Sequence, residues 1–414
     1  MFAIVAFVLA LAVGPFAAFR AYARRVAATD APVEDRLHRL QRVQQVAGFV
    51  LPIVAMIGLH LLEVIDRTTA VLPPGPDPFG LGLIHFAAIM LGTFGLVAVP
   101  LVSMALGTYP TVRSLRDTEA SSWRVVKGVL AALAIVGVSI TISIVGILAV
   151  ISSFGSSLPV LLAAFGAIVA ASYGLSPYLI ALFQDRVPIE GAERERVDRL
   201  CSELDYRPHE LYLLEGESTK TANALVAGTI PGFRYVFLTD YLLSECDDDE
   251  LQAILAHEFG HIAGRHLWQR GLLTVAVFGL WIAGADVIGI GALEEQFGFL
   301  GFFLPFMGLY ALYHVVLLGG LAYWQEFRAD AYAARRAGVE ATADALEVLA
   351  SANDMRRESG LLYALATHHP PIADRIDSVR NVDGEGRTDS DLDADGELDS
   401  DPGSNSDSRS TTGD

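Results

Sequence analysis

The sequence predicts a mainly α-helical membrane protein, a polytopic bundle of about seven transmembrane helices that carries one small α/β unit. Hydrophobic residues make up 52% of the 414 residues and charged residues only 19%, which is unusually apolar for a water-soluble chain. Several apolar runs approach the about 20 residues that a helix needs to cross a bilayer. A long polar segment between the fifth and sixth runs contains short stretches typical of strands.

The apolar runs are the main evidence for membrane insertion. Any one of them could be a buried helix of a soluble core, but seven runs of nearly spanning length favour a membrane protein. They cover residues 2–19, 46–64, 81–106, 128–151, 158–183, 271–293 and 298–323.

The basic residues predict the orientation, because cytoplasmic loops carry an excess of Lys and Arg. The basic clusters are Arg20 to Arg42, Arg113 to Lys127 and Arg186 to Arg199, whereas the loop 65–80 holds only Arg67. No basic residue precedes the first run, so this run is expected to be an anchor and not a cleaved signal peptide. We therefore expect a multi-pass cell-membrane protein with its N-terminus outside and its polar segments in the cytoplasm.

The net charge of −19 is concentrated at the C-terminus, where residues 382–414 hold 11 acidic and 2 basic residues. This Asp-, Gly- and Ser-rich tail is predicted to be disordered and cytoplasmic. An acidic chain is a poor partner for nucleic acid. Cys201 and Cys246 lack CxxC spacing, which argues against a disulfide framework or a structural zinc site and fits a reducing compartment.

The polar segment 184–270 is predicted to fold as a small sheet between two helices. A helix near 190–204 comes first, and a helix-like run from Asp247 to His266 comes last, with Asp247 and Glu250 forming a capping box. Aromatic and β-branched residues and leucine dominate three strand-like stretches between them, at Glu210–Glu215, Thr221–Ala227 and Arg234–Thr239.

The last helix of this segment contains His-Glu-Phe-Gly-His at 257–261. His257 and His261 are four residues apart, so their imidazoles project from one helix face and can bind one zinc ion. Glu258 lies beside them and can act as the general base towards a water that the metal activates. A surface helix with two unrelated histidines is the alternative, and the helical context argues against it.

A catalytic zinc site usually has a third protein ligand. The candidates are His266, His314, Glu326, His368 and His369. His266 is expected on the same helix, rotated away from the histidine pair. Glu326 and Asp330 are four residues apart directly after the last apolar run, so one carboxylate could bind zinc while the other accepts the free N–H of a ligand histidine. An acidic helix start at a membrane exit is the plainer explanation of this pair.

Four motifs occur in an order that resembles the membrane metallopeptidases of family M48, the HtpX and Ste24 CAAX prenyl protease type. The motifs are Asn223-Ala224, His257-Glu258-Phe259-Gly260-His261, Glu326-Phe-Arg-Ala-Asp330 and His369-Pro370-Pro371-Ile-Ala-Asp-Arg375. The resemblance covers roughly residues 190–380. Each motif except HExxH is weak alone, and the ordered set is specific.

The resemblance implies roles for individual residues. His257, His261 and Glu326 would be zinc ligands, Glu258 would be the catalytic base and Asp330 would support a ligand from behind. Asn223 and Ala224 would lie on the strand that pairs with substrate. His369 would be close enough to the cleft to steady an oxyanion, and Arg375 would bind substrate or pair with a carboxylate.

These observations predict a zinc metalloendopeptidase with a zincin-like catalytic unit, one zinc per chain, polypeptide substrates and no nucleic acid. Quality control of membrane or membrane-proximal proteins is the expected role. Cleavage behind lipid-modified C-termini is the enzymatic alternative, and a zinc-free scaffold or transporter is the non-enzymatic one. The expected division is a transmembrane region (1–183), a catalytic segment (184–270), two further spans (271–323), C-terminal catalytic helices (324–381) and the tail (382–414).

Overall fold

The computed structural model of the protein describes residues 2–71, 82–155, 157–183, 186–230 and 233–381. The acidic tail (382–414), most of the loop 65–80 and the side chain of Asp286, an ionisable residue within the sixth apolar run, lie outside the described residues. The N-terminal part forms α1 (Phe2–Ala27), α2 (Val33–Leu61), α3 (Val64–Val71), α4 (Leu83–Arg116), α5 (Ser122–Phe154) and α6 (Leu158–Phe183).

The C-terminal part of the chain is also helical. It consists of α10 (His266–Ile288), α11 (Ile290–Phe297), α12 (Phe299–Ala311), a π-helical stretch at Leu312–Leu318, α13 (Gly319–Ala337), α14 (Val339–Ala352), α15 (Leu361–Thr367) and α16 (Ile372–Arg380).

Seven helical stretches of the described residues are long and apolar enough to cross a membrane, which confirms the predicted fold class. They are α1, α2, α4, α5, α6, α10 and the continuous rod from α12 to α13. This rod has 39 residues and is therefore about 58 Å long, roughly twice the thickness of a hydrocarbon core. Its C-terminal half must leave the bilayer, and that half carries Glu326 and Asp330.

Between α6 and α10 lies the small α/β unit that the sequence predicts. It contains β1 (Arg186–Pro188), α7 (Gly191–Glu203), β2 (Glu210–Leu214), a 3₁₀ turn at Glu217–Thr219, β3 (Ala224–Ala227), β4 (Tyr235–Thr239), α8 (Asp240–Glu245) and α9 (Asp248–Ala263). The strand order among the described residues is β1-β2-β4-β3, with only the β2–β4 pair parallel.

The strands differ from expectation at two places. β1 is additional, because three residues that end in proline carry no alternation that a sequence pattern could reveal. β3 begins at Ala224 and not at Thr221, since the Thr221 amide closes a turn onto the Gly216 carbonyl. β3 is an edge strand, so one side of its backbone is free to pair with another chain.

Helix α9 begins with the predicted capping box. Asp247 accepts from the Glu250 amide at 2.9 Å, and Glu250 accepts from the Asp247 amide at 2.8 Å. The prediction that the helix continues to His266 is wrong. The chain leaves the helix at Gly264, Arg265 adopts a left-handed conformation with φ of 52°, and His266 begins α10.

The core of the α/β unit forms where α9 packs against the sheet, α7 and α13. Leu251, Leu255 and Phe259 of α9 are fully buried there. Gly260 allows α9 to approach α13 closely, because a Cβ at this position would lie 3.0 Å from the Ala329 Cα. This approach brings the histidine face of α9 to the carboxylate face of α13.

Candidate metal centre

Three side chains from two helices meet at the interface between α9 and α13. The Nε2 atoms of His257 and His261 are 3.2 Å apart. The carboxylate of Glu326 lies 3.7 Å from His257 Nε2 and 3.4 Å from His261 Nε2. These side chains form the only group of three or more His, Cys, Asp or Glu within the described ranges whose ligand atoms cluster tightly enough for a metal ion.

The donor set fits zinc. Two ligands at about 2.0–2.1 Å from a tetrahedral zinc ion are about 3.3 Å apart, which matches the observed spacing of the three donors. Two imidazole nitrogens and one carboxylate leave the fourth position to a water or substrate, which is the usual arrangement of a catalytic zinc site. Glu326 is only 3% exposed, so its carboxylate needs a positive partner at this position.

His257 is backed by an ion-paired carboxylate. Its Nδ1 lies 2.9 Å from Asp330 Oδ1, and Arg375 binds both oxygens of Asp330, at 2.7 and 2.8 Å. A proton on Nδ1 leaves the lone pair of Nε2 free for the metal. Burial opposes protonation of His257, but the hydrogen bond and charge of Asp330 outweigh it and raise the pKa of the imidazole.

Arg375 is a carboxylate partner in this arrangement. Its side chain is almost fully buried, and its Nη1 also lies 3.3 Å from Glu326. Burial disfavours its charge, but Asp330 and Glu326 outweigh this and raise the pKa of the guanidinium. Of the two roles that the resemblance implies for Arg375, the contacts favour pairing with carboxylates over contact with substrate.

His261 is backed by a second histidine that sequence reasoning placed elsewhere. The turn at Gly264 and Arg265 brings His266 under the metal ligands, and its Nδ1 lies 2.7 Å from His261 Nδ1. A Cβ at Gly264 would collide with the His266 ring, so glycine is required there. The signal that could have found this turn is Gly264 itself, since glycine commonly ends helices.

Glu258 faces the free side of the edge strand. Its Oε2 accepts a hydrogen bond from the Val226 amide at 3.2 Å. The amide and the carbonyl of Asn223 both bond to Thr239, so these groups face β4. Because backbone groups alternate along a strand, Ala224 and Val226 direct theirs to the open edge, towards the metal ligands.

The two adjacent histidines of the last motif point to different places. His369 is largely exposed, and its Nδ1 lies 3.3 Å from Glu326. His368 turns away and contacts the backbone carbonyl of His314 at 3.1 Å. The structure thus brings Glu326 to the histidine pair and leaves His314 and His368 in contact with each other outside the ligand cluster.

A cavity of about 920 Å³ opens over the metal ligands. Asn223, Ala224 and Glu258 line it together with His369, so the side chains of all the predicted site motifs border one space. Its further lining is mixed: it includes the apolar Leu225, Ile254, Leu267, Trp268, Leu346 and Leu349 and also polar residues such as Arg265, Arg270 and Asn353. A cavity of this size and lining suits an extended peptide with apolar side chains.

Known proteins resemble this chain in sequence. Residues 191–383 match the model of peptidase family M48. The chain is 29% identical over 227 residues to a CAAX prenyl protease 1 homolog of Arabidopsis thaliana, covering 51% of this chain and 52% of that protein. It is 27% identical over 250 residues to protease HtpX of Hahella chejuensis, covering 50% of this chain and 82% of that protein. The chain thus spans about half the length of the plant relative.

A solved structure resembles nearly the whole fold. The crystal structure of S. mikatae Ste24p superposes with a TM-score of 0.61 over 90% of this chain and 97% of that chain, at 17% sequence identity. Residues 191–383 thus resemble a peptidase family M48 domain, and this segment belongs to a chain whose described residues include seven helices long and apolar enough to span a membrane.

Proposed function

We propose that the protein is a membrane-bound zinc endopeptidase that holds one zinc ion per chain at His257, His261 and Glu326. The observation that carries the proposal is the tetrahedral spacing of these three donors directly beside Glu258 and below a free strand edge. Bound there, zinc would supply a Lewis acid that polarises a peptide carbonyl and acidifies water.

The chain's own residues would perform the remaining steps. The open edge of β3 pairs with the substrate backbone through Ala224 and Val226, which holds an extended peptide across the site. Glu258 accepts the proton of the attacking water and passes it to the leaving amine. His369, exposed at the rim and close to Glu326, donates a hydrogen bond to the oxygen that gains charge in the transition state.

Asp330, Arg375 and His266 would act behind the ligands. Asp330 fixes the tautomer of His257, and Arg375 holds Asp330 in place. His266 accepts a hydrogen bond from the Nδ1–H of His261, which keeps the proton on Nδ1 and leaves the Nε2 of His261 unprotonated.

Membrane or membrane-proximal polypeptides are the proposed substrates, with quality control as the role. A multi-span chain whose catalytic helix α13 continues directly from a span favours substrates at the membrane surface. Processing of lipid-modified C-termini is the second candidate, favoured by the similarity to CAAX prenyl protease 1 homologs and to the Ste24p fold.

Assays on one purified sample distinguish these possibilities. We would measure the zinc content of the protein. We would also measure its cleavage of casein, of an unfolded membrane protein and of a farnesylated CAAX reporter peptide, each with and without chelator. Chelator-sensitive cleavage of the membrane protein supports the first role, and cleavage restricted to the reporter supports the second. Absence of both zinc and cleavage from the folded protein would favour the scaffold or transporter alternative.

We further propose that the catalytic side faces the cytoplasm, with the N-terminus outside. The basic loops and the catalytic region share one side of the bundle, as three polar contacts indicate: Arg116 with Asp354 at 2.9 Å, Arg124 with Ser218 at 2.8 Å and Asp35 with Arg356 at 3.5 Å. At the opposite end, the rings of His60 and Phe299 are 5.0 Å apart.

Cysteine labelling in intact cells tests this orientation. The native Cys201 and Cys246 are buried, and burial raises the pKa of each thiol to about 12, so both react slowly. Ser404→Cys should resist an impermeant thiol reagent until lysis, whereas Thr69→Cys should label in intact cells. The reverse pattern would put the catalytic side outside.

A further inference from the structure

A second cavity, remote from the metal ligands, lies where α1, α2 and α4 converge. Its volume is about 560 Å³. It is lined by Arg20, Arg24, Arg36, Pro110, Thr111 and Ser114, together with three apolar residues. The arginines come from the last turns of α1 and the first turn of α2, and the other polar residues come from the end of α4.

Close helix packing builds this cavity. Gly107 of α4 lies against the backbone of α1, because a Cβ there would come within 2.7 Å of the Phe16 carbonyl oxygen and 3.1 Å of the Arg20 amide. Only a turn further along α4, Thr111 is buried against the same helices. The arginines and the hydroxyl groups therefore border one solvent-open cleft.

The three guanidinium groups lack an acidic partner within the part of the chain that the structure describes. Among the described residues, no carboxylate forms an ion pair with Arg20, Arg24 or Arg36, although the chain carries a net charge of −19. Arg36 donates from Nη1 to the Ala27 carbonyl at 3.3 Å, and its buried Nε has no partner among these residues. By contrast, Arg116 and Arg196 on the same side each bind a carboxylate.

We propose that this cavity binds a phosphate-bearing anion and that its occupant is the headgroup of an anionic membrane phospholipid. Guanidinium groups match phosphate oxygens in geometry and charge, and the hydroxyls of Thr111 and Ser114 supply further donors. The cavity lies just past the apolar part of α1, where a helix that spans a bilayer would emerge among the headgroups. Basic pockets between transmembrane helices on the cytoplasmic side suit such headgroups.

The positive-inside rule alone would account for basic residues at this end of α1 and α2. The chain offers control residues that separate this general effect from binding in the cavity. Arg25, Arg39 and Arg42 are exposed at the same end of α1 and α2 but do not line the cavity. Replacing these three by Gln removes the same charge from the same side of the membrane. A difference between the two triple variants therefore measures the cavity and not the general surface potential.

The test is lipid binding to the delipidated full-length protein, followed by native mass spectrometry. Palmitoyl-oleoyl phosphatidylglycerol should bind at one site at least about tenfold more tightly than palmitoyl-oleoyl phosphatidylcholine. Arg20→Gln with Arg24→Gln and Arg36→Gln should abolish this preference, and the control triple variant should retain it. If the cavity triple variant does not fold, the exposed single variants Arg24→Gln and Arg25→Gln give the same comparison, with loss of preference expected only in the first.

Three results would overturn the proposal. If the cavity variant and the control variant lose the preference for phosphatidylglycerol equally, the preference arises from surface charge and not from the cavity. Equal binding of phosphatidylcholine would remove the anion selectivity. Displacement of phosphatidylglycerol by 10 mM inorganic phosphate, with the same dependence on the arginines, would make free phosphate the occupant instead of a lipid.

Discussion

The two histidine ligands of the candidate metal centre are supported in different ways. His257 rests on Asp330, which Arg375 holds with two hydrogen bonds. His261 rests on His266, whose neutral Nδ1 accepts a hydrogen bond from the Nδ1–H of His261 when His261 is in the tautomer that binds zinc through Nε2. The first support crosses from α9 to α13 and α16, and the second comes from the first residue of α10, directly after the turn that ends α9.

This difference separates two physical effects of a ligand's supporting partner. A carboxylate both orients the imidazole and increases its electron donation to the metal, whereas a neutral nitrogen mainly orients it. The carboxylate also couples the site to packing, because Asp330 and Arg375 are buried and each requires the other. We therefore expect changes on the His257 side to have larger effects than changes on the His261 side.

The largest effect should come from removing a ligand. His257→Ala, His261→Ala and Glu326→Ala should each abolish stoichiometric zinc, because two donors hold zinc far more weakly than three. Zinc per chain, measured by atomic emission after gel filtration, tests this. If one histidine variant keeps full zinc, that side of the site does not bind the metal and the comparison fails.

The second largest effect on activity should come from removing the catalytic base while the metal stays bound. Glu258→Gln preserves the shape of the side chain but cannot accept a proton, so turnover should fall about 10²- to 10⁴-fold. Zinc content should stay at the wild-type level, since Glu258 is not among the three clustered donors. Wild-type cleavage rates in this variant would remove Glu258 from the mechanism.

Changing the support of His257 should be milder. Asp330→Asn should weaken zinc binding about 10–100-fold, as is usual for partners behind a ligand. It should also shift the pH dependence. Asp330 raises the pKa of His257, so protons begin to compete with zinc at a higher pH in the wild type, and the zinc affinity of the variant, although weaker, should begin to fall only at a lower pH. Zinc affinity measured with a competing chelator between pH 5.5 and 8 reports both effects.

The sequence predicted the His257 side better than the His261 side, for a physical reason. Helical spacing alone places His257 with His261 and Glu326 with Asp330, and hydropathy alone predicts the spans. The support of His261 depends on a left-handed conformation at Arg265, a non-glycine residue. Backbone propensity does not favour that conformation, and packing against α13 must stabilise it.

Contacts between residues that are distant in the sequence could also not be predicted from it. Arg375 reaches Asp330 across 45 positions, and the resemblance left its role open between substrate and carboxylate. The sequence indicated Gly260 only as a variable position of the HExxH motif. Its close approach to Ala329 becomes apparent only when α9 is packed against α13. Periodicity predicts which face of a helix is used, but not which other helix lies against it.

The smallest effect on zinc affinity is expected from replacing His266. This replacement is also the most direct test of the difference between the two histidine supports. His266→Phe keeps a ring of similar size but removes the acceptor, so His261 is no longer held in the tautomer that binds zinc, and zinc should bind about tenfold more weakly. His266→Asn retains an acceptor oxygen near the position of Nδ1 and should restore most of the affinity. His209→Phe, a histidine replacement at the far side of the sheet, should leave the affinity unchanged. If His266→Phe and His266→Asn weaken zinc equally, His266 serves as packing alone, and the His261 side has no polar support.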